Sequence, residues 1–71
     1  MNVKVGRLEE SIYISDILYV EADGKRAKIH TKKGVIDASM SMADLEEVLP
    51  ANEFCRPIRW ALVSMREIVA M

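Results

Sequence analysis

Arg56 and Arg59 stand three residues apart beside Pro57, inside an otherwise apolar run, FCRPIRWALVSM, residues 54–65. The same run holds the chain's single Trp and its single Cys. A guanidinium group is a planar fork of donors suited to phosphates and to guanine edges. Charges that such a run does not need for solubility therefore point to recognition of an anion or a base. A second basic group lies upstream. No acidic residue occurs between Gly24 and Ile36, whereas Lys25, Arg26, Lys28, Lys32 and Lys33 all fall there with His30 among them.

Catalytic chemistry finds little support. His30 is expected opposite Asp37 across a pair of strands, which reads as a surface ion pair because no hydroxyl or thiol is placed beside it. Cys55, between Phe54 and Arg56, reads as a packing residue. Glu9-Glu10 and Glu46-Glu47 read as solvated faces, and there is no Gly-rich phosphate loop. No Cys/His cluster has metal-ligand spacing. An enzyme, a metal and a cofactor are not expected.

The elements that must position the basic residues follow from periodicity. Residues 2–14 suggest a weak strand or two, with Glu9-Glu10 breaking the run. ILYVEA, from Ile17, ends at Asp23-Gly24, a strong two-residue hairpin signal, and KRAKIHT is the return strand. That turn places Ala22 opposite Lys25, Glu21 opposite Arg26, Val20 opposite Ala27, Tyr19 opposite Lys28 and Leu18 opposite Ile29. One face is then the core: Leu18, Val20, Ala27 and Ile29. The other is wet and cationic: Tyr19, Glu21, Arg26, Lys28, His30 and Lys32. Lys33-Gly34 is a second turn into VIDASM, setting Ile36 across from Thr31, Asp37 from His30 and Ala38 from Ile29. The resulting three-strand meander, roughly residues 17–40, needs a lid.

Ser41 with Asp44 three residues on has the spacing of a capping box, and Pro50 ends the helix, at about 41–49. Met42, Leu45, Val48 and Leu49 form its apolar stripe. Pro57 locks its own φ and pushes Arg56 towards an extended conformation. CRPI therefore reads as a short strand, and RWALVSM includes a turn. Phe54, Ile58, Leu62 and Val63 are expected to face a core while the guanidinium groups face out.

At 71 residues, 51% hydrophobic and 30% charged, the chain is one small globular domain, 1–71. The lone cysteine cannot close an internal disulfide, which fits a reducing cytoplasm. No run approaches the roughly 20 apolar residues of a membrane helix, so no membrane partner is expected. The net charge of −1 argues against coating nucleic acid by bulk electrostatics, which leaves a locally basic face as the relevant feature.

The ordered motifs Ile17-Leu18-Tyr19-Val20-Glu21-Ala22, Ser41 to Pro50, and Phe54 to Ser64 ending at Ile68 resemble a LytTR-type DNA-binding domain over about residues 12–70. Such domains are output modules of many bacterial response regulators in two-component systems. The resemblance implies a mainly β (α+β) fold, an antiparallel β-sheet with β-hairpins and one short helix. It also implies sequence-specific double-stranded DNA binding in transcriptional regulation, read with loops and not with a recognition helix. Carried over by position, Arg59 is the leading base-contacting residue and Lys25 and Arg26 lie in a hairpin loop that enters a major groove. Arg56 matches an arginine that touches phosphate or braces the loop, and Lys28 and His30 would contact phosphate. The motif's histidine, serine and asparagine are here Ile58, Trp60 and Ser64. The family continues past its final Ile with a further hairpin, and this chain ends at Met71. That motivates the alternative reading, a protein-interaction module that has lost DNA binding. It would form a homodimer, or pair with a full-length regulator, through the C-terminal edge at Ile68 to Met71.

Overall fold

The computed structural model describes residues 1–65. It contains β1 (Asn2–Val5), β2 (Leu8–Ser11), a 3-10 turn (Ile14–Asp16), β3 (Ile17–Asp23), β4 (Arg26–Thr31), β5 (Gly34–Ala38), α1 (Met42–Val48), β6 (Phe54–Ile58) and β7 (Ala61–Ser64). The first two strands form a separate hairpin, and the others make a five-stranded antiparallel sheet in the order β5-β4-β3-β7-β6. Among the described residues the fold is the expected mainly β architecture with one short helix. The meander is wider than expected, because the 54–65 segment folds back as β6 and β7 and adds to the free side of β3.

Residues from both layers make the core. Val20, Ala27, Ile29 and Ala38 from the sheet, Met42, Leu45 and Leu49 from the helix segment, and Val3 from β1 are all buried in one cluster. A side chain such as Leu45 or Ile29 contributes roughly 1.5–3 kcal/mol by leaving water. The helix is too short to form by propensity and is held by this packing. Its start is fixed by the expected capping box: Ser41 Oγ accepts from the Asp44 N–H, and an Asp44 carboxylate oxygen accepts from the Ser41 N–H.

Several expectations need correction. The first turn is Gly24-Lys25, not Asp23-Gly24, so Asp23 pairs with Arg26, Ala22 with Ala27, Glu21 with Lys28, Val20 with Ile29 and Tyr19 with His30. A turn centred on Asp23-Gly24 would favour positive φ at both residues. Among described non-glycine residues no φ is positive, while Gly24 sits at φ 63, so the chain places its glycine at the first central position, as a type II′ turn requires. The second turn slips likewise. Lys32 and Lys33 are its centre, Asp37 lies opposite Lys28, and His30 lies opposite Val35. The Lys33 N–H donates to Thr31 Oγ1, the side-chain-mediated turn that threonine supports.

Each slip moves the partner by two residues, and because side chains alternate with period two, most keep their expected face. Leu18 is the exception. A bulge between Ile17 and Tyr19 puts Ile17 in the core and leaves Leu18 half-buried. Val48 is 51% exposed at the margin of the helix stripe, and Ile58 is 43% exposed at the end of the edge strand β6, so neither is core. Val63 is half-buried. Glu9 and Glu10 do not break a strand but lie within β2, opposite Lys4 and Val3. The edge anticipated at Ile68 to Met71 lies outside the described residues.

The corrected turn has a direct test in urea unfolding. Gly24→Ala forces a left-handed residue and should cost about 1–2 kcal/mol. Asp23→Thr, in extended backbone, should change stability by less than about 0.5 kcal/mol. A large loss for Asp23→Thr would restore the Asp23-Gly24 turn.

Candidate nucleic-acid interface

Two turns meet at one end of the sheet. β3 climbs to Gly24-Lys25, while β7 begins just after Arg59-Trp60 and pairs with β3 through Ala61 and Glu21. The Ala22 N–H donates to the Trp60 carbonyl at 2.8 Å, which holds the second turn level with the first. Counting strands across the sheet puts the two turns about two strand spacings apart, roughly 10 Å. Lys25, Arg26 and Arg59, far apart in sequence, are thus brought together. The third turn at this end is Gly6-Arg7, between β1 and β2. Its Gly6 N–H donates to Ser39 Oγ at 3.0 Å, and Ser39 directly follows β5.

Arg56 organises the Arg59 turn. A bulge between Cys55 and Ile58 interrupts the β6–β7 ladder, at a proline on an edge strand, where a missing N–H is tolerated. From there Arg56 Nε and Nη2 donate to the Arg59 carbonyl at 3.0 and 2.6 Å. Its Nη1 donates to Glu46 Oε1 of α1 at 3.0 Å. A fork clamped on one carbonyl fixes the turn as a point charge could not. Arg59 itself is exposed, and its side chain has no hydrogen-bond or ion-pair partner among the described residues. Of the two roles expected for Arg56, phosphate contact or bracing of the loop, the bonds to the Arg59 carbonyl make the brace.

The outer face of the sheet is less cationic than its composition promised. His30 does not pair with Asp37. Its ring stacks on Tyr19 at 4.1 Å between centroids, 12° from parallel, and its Nε2 lies 3.1 Å from Glu21 Oε1. Arg26 Nε is 3.8 Å from Asp37 Oδ1, and its Nη2 donates to Ser39 Oγ at 3.3 Å. Lys28 is half-buried between strand neighbours Glu21 and Asp37. Acids therefore accompany the strand cations, while Lys25 and Arg59 at the turns have no ion-pair partner among the described residues. An open cleft of about 310 Å³ lies at the opposite end of the sheet, between Ile12-Tyr13 and Lys33–Ile36. It belongs to a different surface.

Residues 10–71 match the LytTR family, described as the LytTr DNA-binding domain. The chain is 29% identical over 66 residues to the CO-responsive transcriptional regulator RcoM of Rhodospirillum rubrum, covering 93% of this chain and 28% of that protein. It also aligns with a LytTr DNA-binding domain from Bacillus cereus at TM-score 0.76 and 21% identity, covering 93% of this chain and 61% of that one. The chain spans less than two thirds of either relative's length. The structural match shows the shared fold.

The brace predicts an asymmetry measurable by unfolding and limited proteolysis. Arg56→Lys keeps the charge but loses the fork, and should cost about 1–2 kcal/mol and expose the turn to cleavage. Glu46→Gln, at a half-exposed pair, should cost less than about 1 kcal/mol. Equal effects of the two would show that the carbonyl clamp contributes nothing.

Proposed function

The chain belongs to the LytTr DNA-binding domain family, and on that premise we propose that it binds double-stranded DNA sequence-specifically in bacterial transcriptional regulation, through the turns at one end of its sheet. The observation that carries this reading is the braced turn: Arg59, unpaired among the described residues, projects from a turn whose carbonyl is clamped by Arg56. A side chain that reads a base edge gains from a rigid backbone, which lowers the ordering cost of binding, and from an undemanded guanidinium, which has no existing bond to break. Arg59 contacts a base, and the Lys25/Arg26 turn enters the groove beside it. Lys28 and His30 lie further back along β4 and meet phosphate, where a contact positions the protein without reading sequence. Arg56 has used three N–H donors, which leaves two of its five for a phosphate.

The acidic helix cannot lie against phosphates, which favours loop readout over a recognition helix. A second reading rests on Trp60, 55% exposed, beside the exposed Ile58 at the same turn. An apolar pair there suits a protein partner, either a second copy or a full-length regulator.

A salt-dependent titration against a pool of duplexes, run beside sedimentation, separates the two. Arg59→Ala should cost about 1–3 kcal/mol and blur one base position, whereas Lys28→Ala should weaken all sequences alike and flatten the salt slope. Absence of any salt-dependent affinity, together with self-association, would replace DNA binding with the interaction module.

A further inference from the structure

Resting on the DNA-binding reading, we propose that Arg7, at the tip of the β1–β2 hairpin, is a phosphate-contacting residue, and that Ser39 positions it. The hairpin is not part of the main sheet. Its location is set by a small group of bonds. The Ser39 N–H donates to the Lys4 carbonyl at 2.7 Å. Ser39 Oγ accepts from the Gly6 N–H at 3.0 Å and from Arg26 Nη2 at 3.3 Å. One hydroxyl thus ties the tip of the hairpin to the arginine that begins β4. Arg7 follows Gly6 directly, is exposed, and has no hydrogen-bond or ion-pair partner among the described residues.

Geometry assigns this cation to phosphate and not to a base. The hairpin approaches β5, at one edge of the sheet, whereas Arg59 sits between β7 and β6 at the other. The Lys25 turn lies between them. Four strand spacings separate the outermost strands, about 19 Å, and the major groove is only about 12 Å wide. The sheet end cannot enter as a block. With the Lys25 and Arg59 turns, roughly 10 Å apart, both in the groove, the hairpin tip beside β5 meets the sugar-phosphate wall. The hairpin's acids do not oppose this. Glu9 and Glu10 pair with Lys4 and Val3, back from the tip, about 7 and 10 Å from Arg7 along the strand.

The test compares wild type, Arg7→Gln, Arg7→Lys, Ser39→Ala and Arg59→Ala by titration with a random duplex pool across salt concentrations. Arg7→Gln should weaken every duplex alike by roughly fivefold, the equivalent of about 1 kcal/mol, and reduce the salt slope by about one. Arg7→Lys should keep the slope. Ser39→Ala, which leaves every charge in place, should weaken binding in wild type but add little to Arg7→Gln, since coupled residues are not additive. Additive losses would overturn the role of Ser39. If Arg59→Ala weakens binding while Arg7→Gln changes neither affinity nor slope, this inference fails and the DNA-binding reading stands. If neither variant changes anything, both fall.

Discussion

Val20 and Ile29 face each other across the β3–β4 ladder, both wholly buried, and share their cluster with Leu45 of α1. The rest of the molecule is arranged around that burial. β3 is paired on both sides, by β4 and by β7, and also touches the helix. Reversing the face of β3 would expose Ile17 and Val20 and bury Glu21, at a cost of several kcal/mol in a domain this small. The parity of the strand is therefore fixed by energy. Each turn at its upper end is fixed in consequence, because a turn can only be where the strand leaves it.

The charges divide along the same lines. On the strands, antiparallel pairing brings acids against bases: Glu21 beside Lys28 and His30, Asp37 beside Lys28 and Arg26. Such mixed surface is largely self-cancelling beyond a Debye length of about 8–10 Å. At the turns no opposite strand supplies a partner. Lys25 and Arg59 stay uncompensated among the described residues, and a chain of net charge −1 can still present a local positive end. The antiparallel topology segregates charge without any excess of it.

Much of this was legible in the residues. Alternation marked the core face of β3 and β4, and Ser41 with Asp44 marked the start of the helix. The apolar run with its proline marked a strand and a turn. What was misread was local: Asp23-Gly24 as the turn, where only Gly24 and not Asp23 takes positive φ. That error left the faces intact, because a shift of two residues preserves alternation, but it exchanged every cross-strand partner. His30 consequently belongs with Tyr19 and Glu21, and the matching slip of the turn expected at Lys33-Gly34 puts Asp37 opposite Lys28 instead. The clamp of Arg56 on the Arg59 carbonyl depends on a bulge and on Glu46 from another element, which no local pattern encodes. Arg7 had no signal beyond a glycine before it, since its place is decided by Ser39, more than thirty positions away.

Trp60 has a use independent of any reading of its role. It is the sole tryptophan of the chain, more than half exposed, and its carbonyl is bonded to Ala22 at the end of the sheet where the basic turns meet. An indole in water emits further to the red than one covered by a partner. The domain therefore carries its own fluorophore at the surface in question, and whatever settles on that surface, nucleic acid or protein, will be seen in unlabelled material as a change in the colour or intensity of its emission.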